Sequence, residues 1–121
     1  MNNIFGIGVD LVDVNKFKRK PYLENSSFYN KLFLPNEIKY CLKFKNPDEH
    51  FAGKFAIKES IKKSISTKIK FHEIETSHKN SKPIVSLKGK YSKKFALTVS
   101  ISHEKNFAIA FVIVEKINFQ I

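Results

Sequence analysis

The stretch FAGKFAIKESIKKSI, Phe51 to Ile65, decides the fold. It holds no proline, and its apolar residues recur at three- and four-residue spacings, which predicts a long helix. Helical pitch puts Phe55 and Lys63 one turn to either side of Glu59, with Ala52 and Ala56 on the same flank. Small and apolar neighbours predict a carboxylate withdrawn from water, which is costly unless a cation or strong donors face it. Two partners fit. One is Lys63, four residues on in the favoured orientation for a helical ion pair; the other is a metal ion.

Working outward, the run IFGIGVDLVD, Ile4 to Asp13, reads as a short buried strand with Asp10 near its end. Aspartate is disfavoured in strands, so Asp10 needs a reason to be there. Asp13 can cap a helix beginning at Val14, which makes Asp10 redundant as a second cap. Gly6 and Gly8 lack the third glycine of a dinucleotide-binding fingerprint and suit close backbone approach instead. Toward the other end, Leu97, Val99 and Ile101 alternate with Thr98, Ser100 and Ser102, and Phe107, Ile109, Phe111 and Ile113 alternate with Ala108 and Ala110. This pattern predicts a hairpin with the large residues of the return strand on a core face and the alanines opposite. Ser102 and His103 close its first strand, a hydroxyl and an imidazole that can both bind phosphate. His103 as a plain turn residue fits equally well.

Gly6-Ile-Gly8-Val-Asp10, then Phe51-Ala-Gly-Lys54-Phe-Ala-Ile-Lys58-Glu59 through Lys63, then Val99-Ser-Ile-Ser102-His103 with Phe107-Ala-Ile-Ala110, stand in one order along the chain. Together they resemble the holo-acyl-carrier-protein synthase family, the short bacterial class of 4'-phosphopantetheinyl transferases. Phe33-Leu-Pro-Asn-Glu37 and Ser81-Lys82-Pro83 are similar to two further family elements. The chain departs from the family at Lys54 and Lys16, where arginine is frequent and a bidentate fork is lost. It departs also at Ser66-Thr67-Lys68, which replaces a G-T-G, and at Ser81, which replaces a glycine.

The resemblance implies an α+β fold with an antiparallel sheet and a long middle helix. It implies transfer of 4'-phosphopantetheine from coenzyme A to a serine of apo-acyl carrier protein, releasing adenosine 3',5'-bisphosphate, in support of fatty acid biosynthesis. Mg²⁺ would be held by Asp10 and Glu59. Lys63, Lys54, Ser102 and His103 would meet the phosphates of coenzyme A. Glu59, directly or through a metal-bound water, would be the general base, with His103 as the alternative. Lys16, Lys18, Arg19 and Lys20 would dock the acidic carrier protein. A homotrimer with sites between subunits is implied, with the small Ala108/Ala110 face open to a second subunit or to the pantetheine arm.

Composition agrees. The 121 residues suit one domain spanning 1–121. A single cysteine, Cys41, forbids an internal disulfide, suits a reducing cytoplasm and reads as inert core. No segment has the length of apolar sequence that a membrane helix needs, and the opening run is too short for a leader. The net charge of +11 implies an anionic partner. Arg19 is the only arginine and the aromatics of the return strand read as core, so nucleic acid is disfavoured. The remaining pattern predicts a helical stretch from about Ser27 to Lys45, with Asp48 capping the long helix. It also predicts strands near Lys70–Ser77 and Pro83–Lys88 and a short helix near Tyr91–Phe95.

Overall fold

The computed structural model describes residues 3–65 and 68–117; Ser66 and Thr67 of the departure noted above lie outside them. Strand β1 (Asn3–Asp13) leads into a one-turn helix α1 (Asn15–Lys18), then α2 (Ser26–Leu32), α3 (Pro35–Cys41) and the long α4 (Pro47–Ser64). Strands β2 (Ile74–Lys79) and β3 (Lys82–Leu87) pair as a two-stranded antiparallel ribbon. Strands β4 (Phe95–His103) and β5 (Phe107–Lys116) form the hairpin, and the larger sheet runs β1-β5-β4, antiparallel throughout.

The helical stretch predicted from Ser27 to Lys45 is two helices. Leu34 precedes a proline and is extended, which ends one helix, and Pro35 opens the next at a position that needs no amide donor. Asp13 does not hold the cap position of α1, which is Val14 with the helix starting at Asn15; from one residue earlier its Oδ1 accepts the Asn15 amide at 2.9 Å. Asp48 does not cap α4: Asn46 holds that position, Pro47 starts the helix, and Asp48 lies in its first turn, where negative charge suits the helix dipole. Residues 71–73 are a 3-10 turn before β2 begins, and the predicted short helix near Tyr91 is a 3-10 turn at Gly89–Tyr91.

Helix α4 lies across the β1-β5-β4 sheet on the face that carries Gly6 and Gly8 of β1 and Ala108, Ala110, Val112 and Val114 of β5. A Cβ built on Gly8 would stand 1.9 Å from the Ser60 carbonyl oxygen, and one on Gly6 would stand 2.0 Å from that of Ser64. Ala108 and Ala110 of β5 are fully buried on this same face. The expectation that the alanines face outward and Phe107, Ile109 and Phe111 the core therefore does not hold. Those three are 48%, 43% and 41% exposed, and they share the outer face with Ile7, Val9 and Leu11 of β1. The reason is steric: α4 crosses β1 at Gly6 and Gly8, where no Cβ fits, and in register that turns Ala108, Ala110, Val112 and Val114 of β5 to the helix. The first strand is likewise not buried on both sides.

The core on the helical side is aromatic. Phe17, Tyr29, Phe33 and Phe51 pack with ring centres 4.6 to 6.2 Å apart, and burying each ring contributes roughly 1.5–3 kcal/mol. The Tyr29 hydroxyl donates to Lys20 O at 2.6 Å, which ties the loop after α1 to this core. Cys41 is buried among these helices, and burial pushes its thiol up to about 12, so it is inert as expected.

The β2–β3 turn is made by Asn80 and Ser81 at φ +53 and +67. Serine pays a steric penalty in this left-handed region that glycine does not. Ser81→Gly is expected to raise stability by about 0.5–1 kcal/mol, seen as a higher urea midpoint with unchanged slope; an unchanged or lower midpoint refutes the assignment of strain.

Candidate active site

Asp10 and Glu59 come to one cleft. Asp10 stands on the helix-facing side of β1, its side chain 13% exposed, and Glu59 stands half-buried on the flank of α4 beside it. The cleft is about 350 Å³ and is walled by β1 residues Asp10 to Asp13, by Lys16, and by Phe55 and Glu59 of α4. The Lys63 ammonium donates to Asp10 Oδ1 at 2.6 Å and sits within reach of Val9 O at 3.4 Å. The hydrogen bond to Asp10 holds the Lys63 ammonium above its ordinary range, with the charges of Asp10 and Glu59 adding to it. Lys63 is thus not Glu59's private partner.

Glu59 is not the buried carboxylate that its neighbours in sequence suggest; it faces the open cleft. The buried carboxylate is Glu37 of α3, and its cation is Lys58, both with side chains fully out of solvent at 2.6 Å. Lys58 spends its other donors on Leu32 O and Phe71 O, each at 3.1 Å. Glu37 Oε2 accepts from the amide and hydroxyl of Thr76, at 2.8 and 2.6 Å. Thr76 in turn accepts from Lys54 through both O and Oγ1. The chain Lys58–Glu37–Thr76–Lys54 is therefore continuous from α3 through α4 to β2. Lys54 is 3% exposed, and burial pushes its ammonium below the ordinary range against the pull of Glu37.

The two carboxylates supply the oxygen donors that a divalent cation takes, and the Lys63 ammonium holds one of those oxygens here. Mg²⁺ takes oxygen donors, usually one or two carboxylates with phosphate and water, and Asp10 and Glu59 offer that set on a shared cleft. Among the described residues no group of three or more His, Cys, Asp or Glu is disposed to hold a metal ion.

The remaining predicted residues lie elsewhere. Lys54 and His103 are on the other flank of α4: a Cβ on Gly53 would touch His103 at 3.9 Å, and His103 Nδ1 is 3.5 Å from Glu49 Oε1. Ser102 pairs with Ile109 and turns to the outer face of the sheet. Lys16 lies over the Phe55 ring at 4.2 Å and so lines the Asp10–Glu59 cleft, while Lys18, Arg19 and Lys20 continue from it as an exposed basic group. Glu37 and Lys58 stand in the motifs that carry the resemblance but are given no role there, and Thr76 is not singled out. A signal for a buried network is that Lys54 and Lys58 sit four apart on the buried stripe of α4.

The sequence profile of the 4'-phosphopantetheinyl transferase superfamily matches residues 6–112, and the chain belongs to that superfamily. The holo-[acyl-carrier-protein] synthase of Halothermothrix orenii is 41% identical over 124 residues, covering 93% of this chain and 98% of that protein. The crystal structure of the Bacillus anthracis holo-(acyl-carrier-protein) synthase, in complex with CoA (3',5'-ADP), matches at TM-score 0.79 and 31% identity, over 93% of this chain and 97% of that one. The Neisseria meningitidis enzyme matches at TM-score 0.82 and 27% identity, over 94% and 100%. Within the superfamily the chain groups with the holo-[acyl-carrier-protein] synthases, and it is a phosphopantetheinyl transferase.

Lys58→Met leaves Glu37 charged, buried and without its cation. It is expected to cost about 3–5 kcal/mol in urea unfolding, and Lys58→Met with Glu37→Leu is expected to recover most of that. A single-variant loss below about 1 kcal/mol would mean that water reaches Glu37.

Proposed function

We propose that the chain transfers 4'-phosphopantetheine from coenzyme A to a serine of an apo-acyl carrier protein, serving fatty acid synthesis in the cytoplasm. The observation that carries this reading is the Asp10–Glu59–Lys63 constellation on one cleft, with a basic approach beside it. The serine hydroxyl attacks the β-phosphorus of the coenzyme. A serine O–P bond forms, the P–O bond to the α-phosphate breaks, and adenosine 3',5'-bisphosphate leaves. Mg²⁺, held by Asp10 and Glu59, supplies neutralisation of the pyrophosphate charge. Glu59 takes the serine proton, with His103 as the second choice of base. Lys63 exchanges its bond to Asp10 for phosphate oxygen, which its exposed ammonium can reach without moving the helix. Lys16, Lys18, Arg19 and Lys20 steer and orient the acidic carrier protein at the cleft mouth.

The working form is a homotrimer with its sites between subunits. Lys54 and His103 stand across α4 from Asp10 and Glu59, so one chain alone does not gather the whole set. The outer sheet face supports this arrangement. Ile7, Val9 and Leu11 on β1 and Phe107, Ile109 and Phe111 on β5 are all exposed, and adjoining β4 positions are Thr98, Ser100 and Ser102. A contiguous apolar sheet face of this kind marks an association surface. It is this face that accepts a subunit, and not the buried Ala108/Ala110 side. The same face carries no cation at its paired positions, which disfavours nucleic acid even though its aromatics are exposed.

Incubation with an acidic apo-acyl carrier protein, coenzyme A and Mg²⁺ is expected to add one phosphopantetheine to the carrier's intact mass. The gain should vanish with EDTA and fall by at least about a hundredfold in rate in Asp10→Ala and Glu59→Ala. No gain with any acyl carrier protein would defeat the reading. Ile109→Glu places a charge in the centre of the outer face and is expected to convert a trimer to monomers in sedimentation velocity, with folding intact by circular dichroism. A trimer that survives the substitution would show that the subunits meet elsewhere.

A further inference from the structure

At Lys54 the chain carries an ammonium where its family frequently has a guanidinium, and that exchange creates a need. A guanidinium presents a planar fork with its donors fixed, whereas an ammonium swings at the end of a flexible stem. Left loose, it gives up rotamer freedom each time it meets an anion. Held by a carboxylate of its own, it has its charge cancelled. Lys54 is held in a third way. It donates to two oxygens of one residue, Thr76 O at 3.2 Å and Thr76 Oγ1 at 3.0 Å, and both acceptors are neutral.

Donor count fixes the direction of each bond. A hydroxyl has one hydrogen and an ionised carboxylate has none, so Thr76 Oγ1 donates to Glu37 Oε2 at 2.6 Å and is an acceptor toward Lys54. Threonine is stiff about its first side-chain torsion. Its amide also donates to Glu37, at 2.8 Å, so main chain and side chain are anchored to the same carboxylate. Lys58 and the Leu34 amide hold the other oxygen of Glu37. Because Lys58 offsets the charge of Glu37 at its source, the anchor orients Lys54 and leaves its own charge largely uncompensated. Thr76 takes two of the three ammonium donors. The Tyr40 ring lies 4.7 Å from the nitrogen, beside a cleft of about 340 Å³ that Thr76 itself lines with Tyr40, Ser77 and His78. His50, His78 and His103 share a smaller recess with Lys54 on the same flank of α4.

We infer that Thr76 is a positioning residue for the transfer reaction: its hydroxyl, fixed by Glu37, holds the Lys54 ammonium in one orientation toward the coenzyme, supplying for a lysine the order that planarity supplies for an arginine. The inference rests on the function proposed above, with Lys54 as one of the phosphate contacts. Thr76 touches no reacting atom. Loss of its hydroxyl therefore changes how tightly the coenzyme is held and not the bond-making step.

Titration calorimetry with coenzyme A, read beside steady-state kinetics, tests this. Thr76→Val keeps the side-chain shape, the amide and the carbonyl and deletes only the hydroxyl. It is expected to raise Kd and KM for coenzyme A by about five- to tenfold with kcat within about twofold. Thr76→Ser, which retains the hydroxyl, is expected to stay within about twofold of the parent. In a Lys54→Met background Thr76→Val should add no further loss, because the residue it acts through is gone. A merely structural role would lower the urea midpoint of the valine variant without moving Kd for the folded protein. Thr76→Ala, which puts no methyl against Glu37, carries the same comparison should the valine variant not fold. An unchanged Kd in the folded variant, an equal loss in Thr76→Ser, a full additional loss on top of Lys54→Met, or a Lys54→Met variant that binds as tightly as the parent would each overturn the inference. A parent protein that binds no coenzyme A would end this inference together with the proposed function; a parent that binds it and a Thr76→Val variant that binds it equally well would end this inference alone.

Discussion

The closeness of α4 to β1 governs the rest of the molecule. With a Cβ excluded at Gly6 and Gly8 by backbone carbonyls of Ser64 and Ser60, helix and strand meet main chain to main chain. Two consequences follow from that contact. It brings Asp10, fixed on the strand, and Glu59, fixed on the helix, to a common cleft without any loop to position them. It also turns the face of β1 that carries Gly6 and Gly8 toward the helix, so that Ile7, Val9 and Leu11 of β1 and Phe107, Ile109 and Phe111 of β5 lie on the outer face, where they make a surface suited to association. The shared cleft of the two carboxylates and the exposed apolar sheet face thus arise from one steric condition.

The charged interior is arranged around a second constraint. Two helices, α3 and α4, and the β2–β3 ribbon meet at Glu37, whose two oxygens serve Lys58, the Leu34 amide and both donors of Thr76. Every one of these is a defined bond, and among the described residues no buried side-chain polar atom lacks a partner. A satisfied network of this kind is costly to break at one member. It holds Lys54 in place from beneath, leaving its charge turned toward the histidines. The two flanks of α4 consequently differ in character: one presents carboxylates, the other an ammonium and imidazoles.

Much of the fold was legible in the chain because periodicity reports local geometry. The long helix, the hairpin and the strand that carries Asp10 all follow from spacing, and Pro35 marks the break between α2 and α3 once its preceding residue is considered. What periodicity cannot report is which side of an element another will choose. The alternation of Phe107, Ile109 and Phe111 with Ala108 and Ala110 is unambiguous, yet it reads as a buried aromatic face until the glycines of β1 show that α4 needs the small one. The same limit applies to Glu59 and Glu37. Neighbours in sequence suggested burial for the first, while the second is buried by a lysine and a threonine from distant elements. The pairing of Asp10 with Lys63 and the gathering of His50, His78 and His103 are likewise tertiary facts.

The order of the sheet has a consequence for how the chain reaches this state. Strand β5, the last of the described elements, is the central strand, and β1, the first, pairs with it along its whole length from Asn3 opposite Lys116 to Asp13 opposite Phe107. During synthesis the first strand therefore emerges long before its only neighbour. The aromatic cluster and α4 can condense early from local contacts, but the sheet closes by a search across nearly the full chain, which is the slow class of event in folding. Until then an apolar edge with Ile7, Val9 and Leu11 stands unpaired, an exposure that favours fast completion of the chain or protection of the nascent strand.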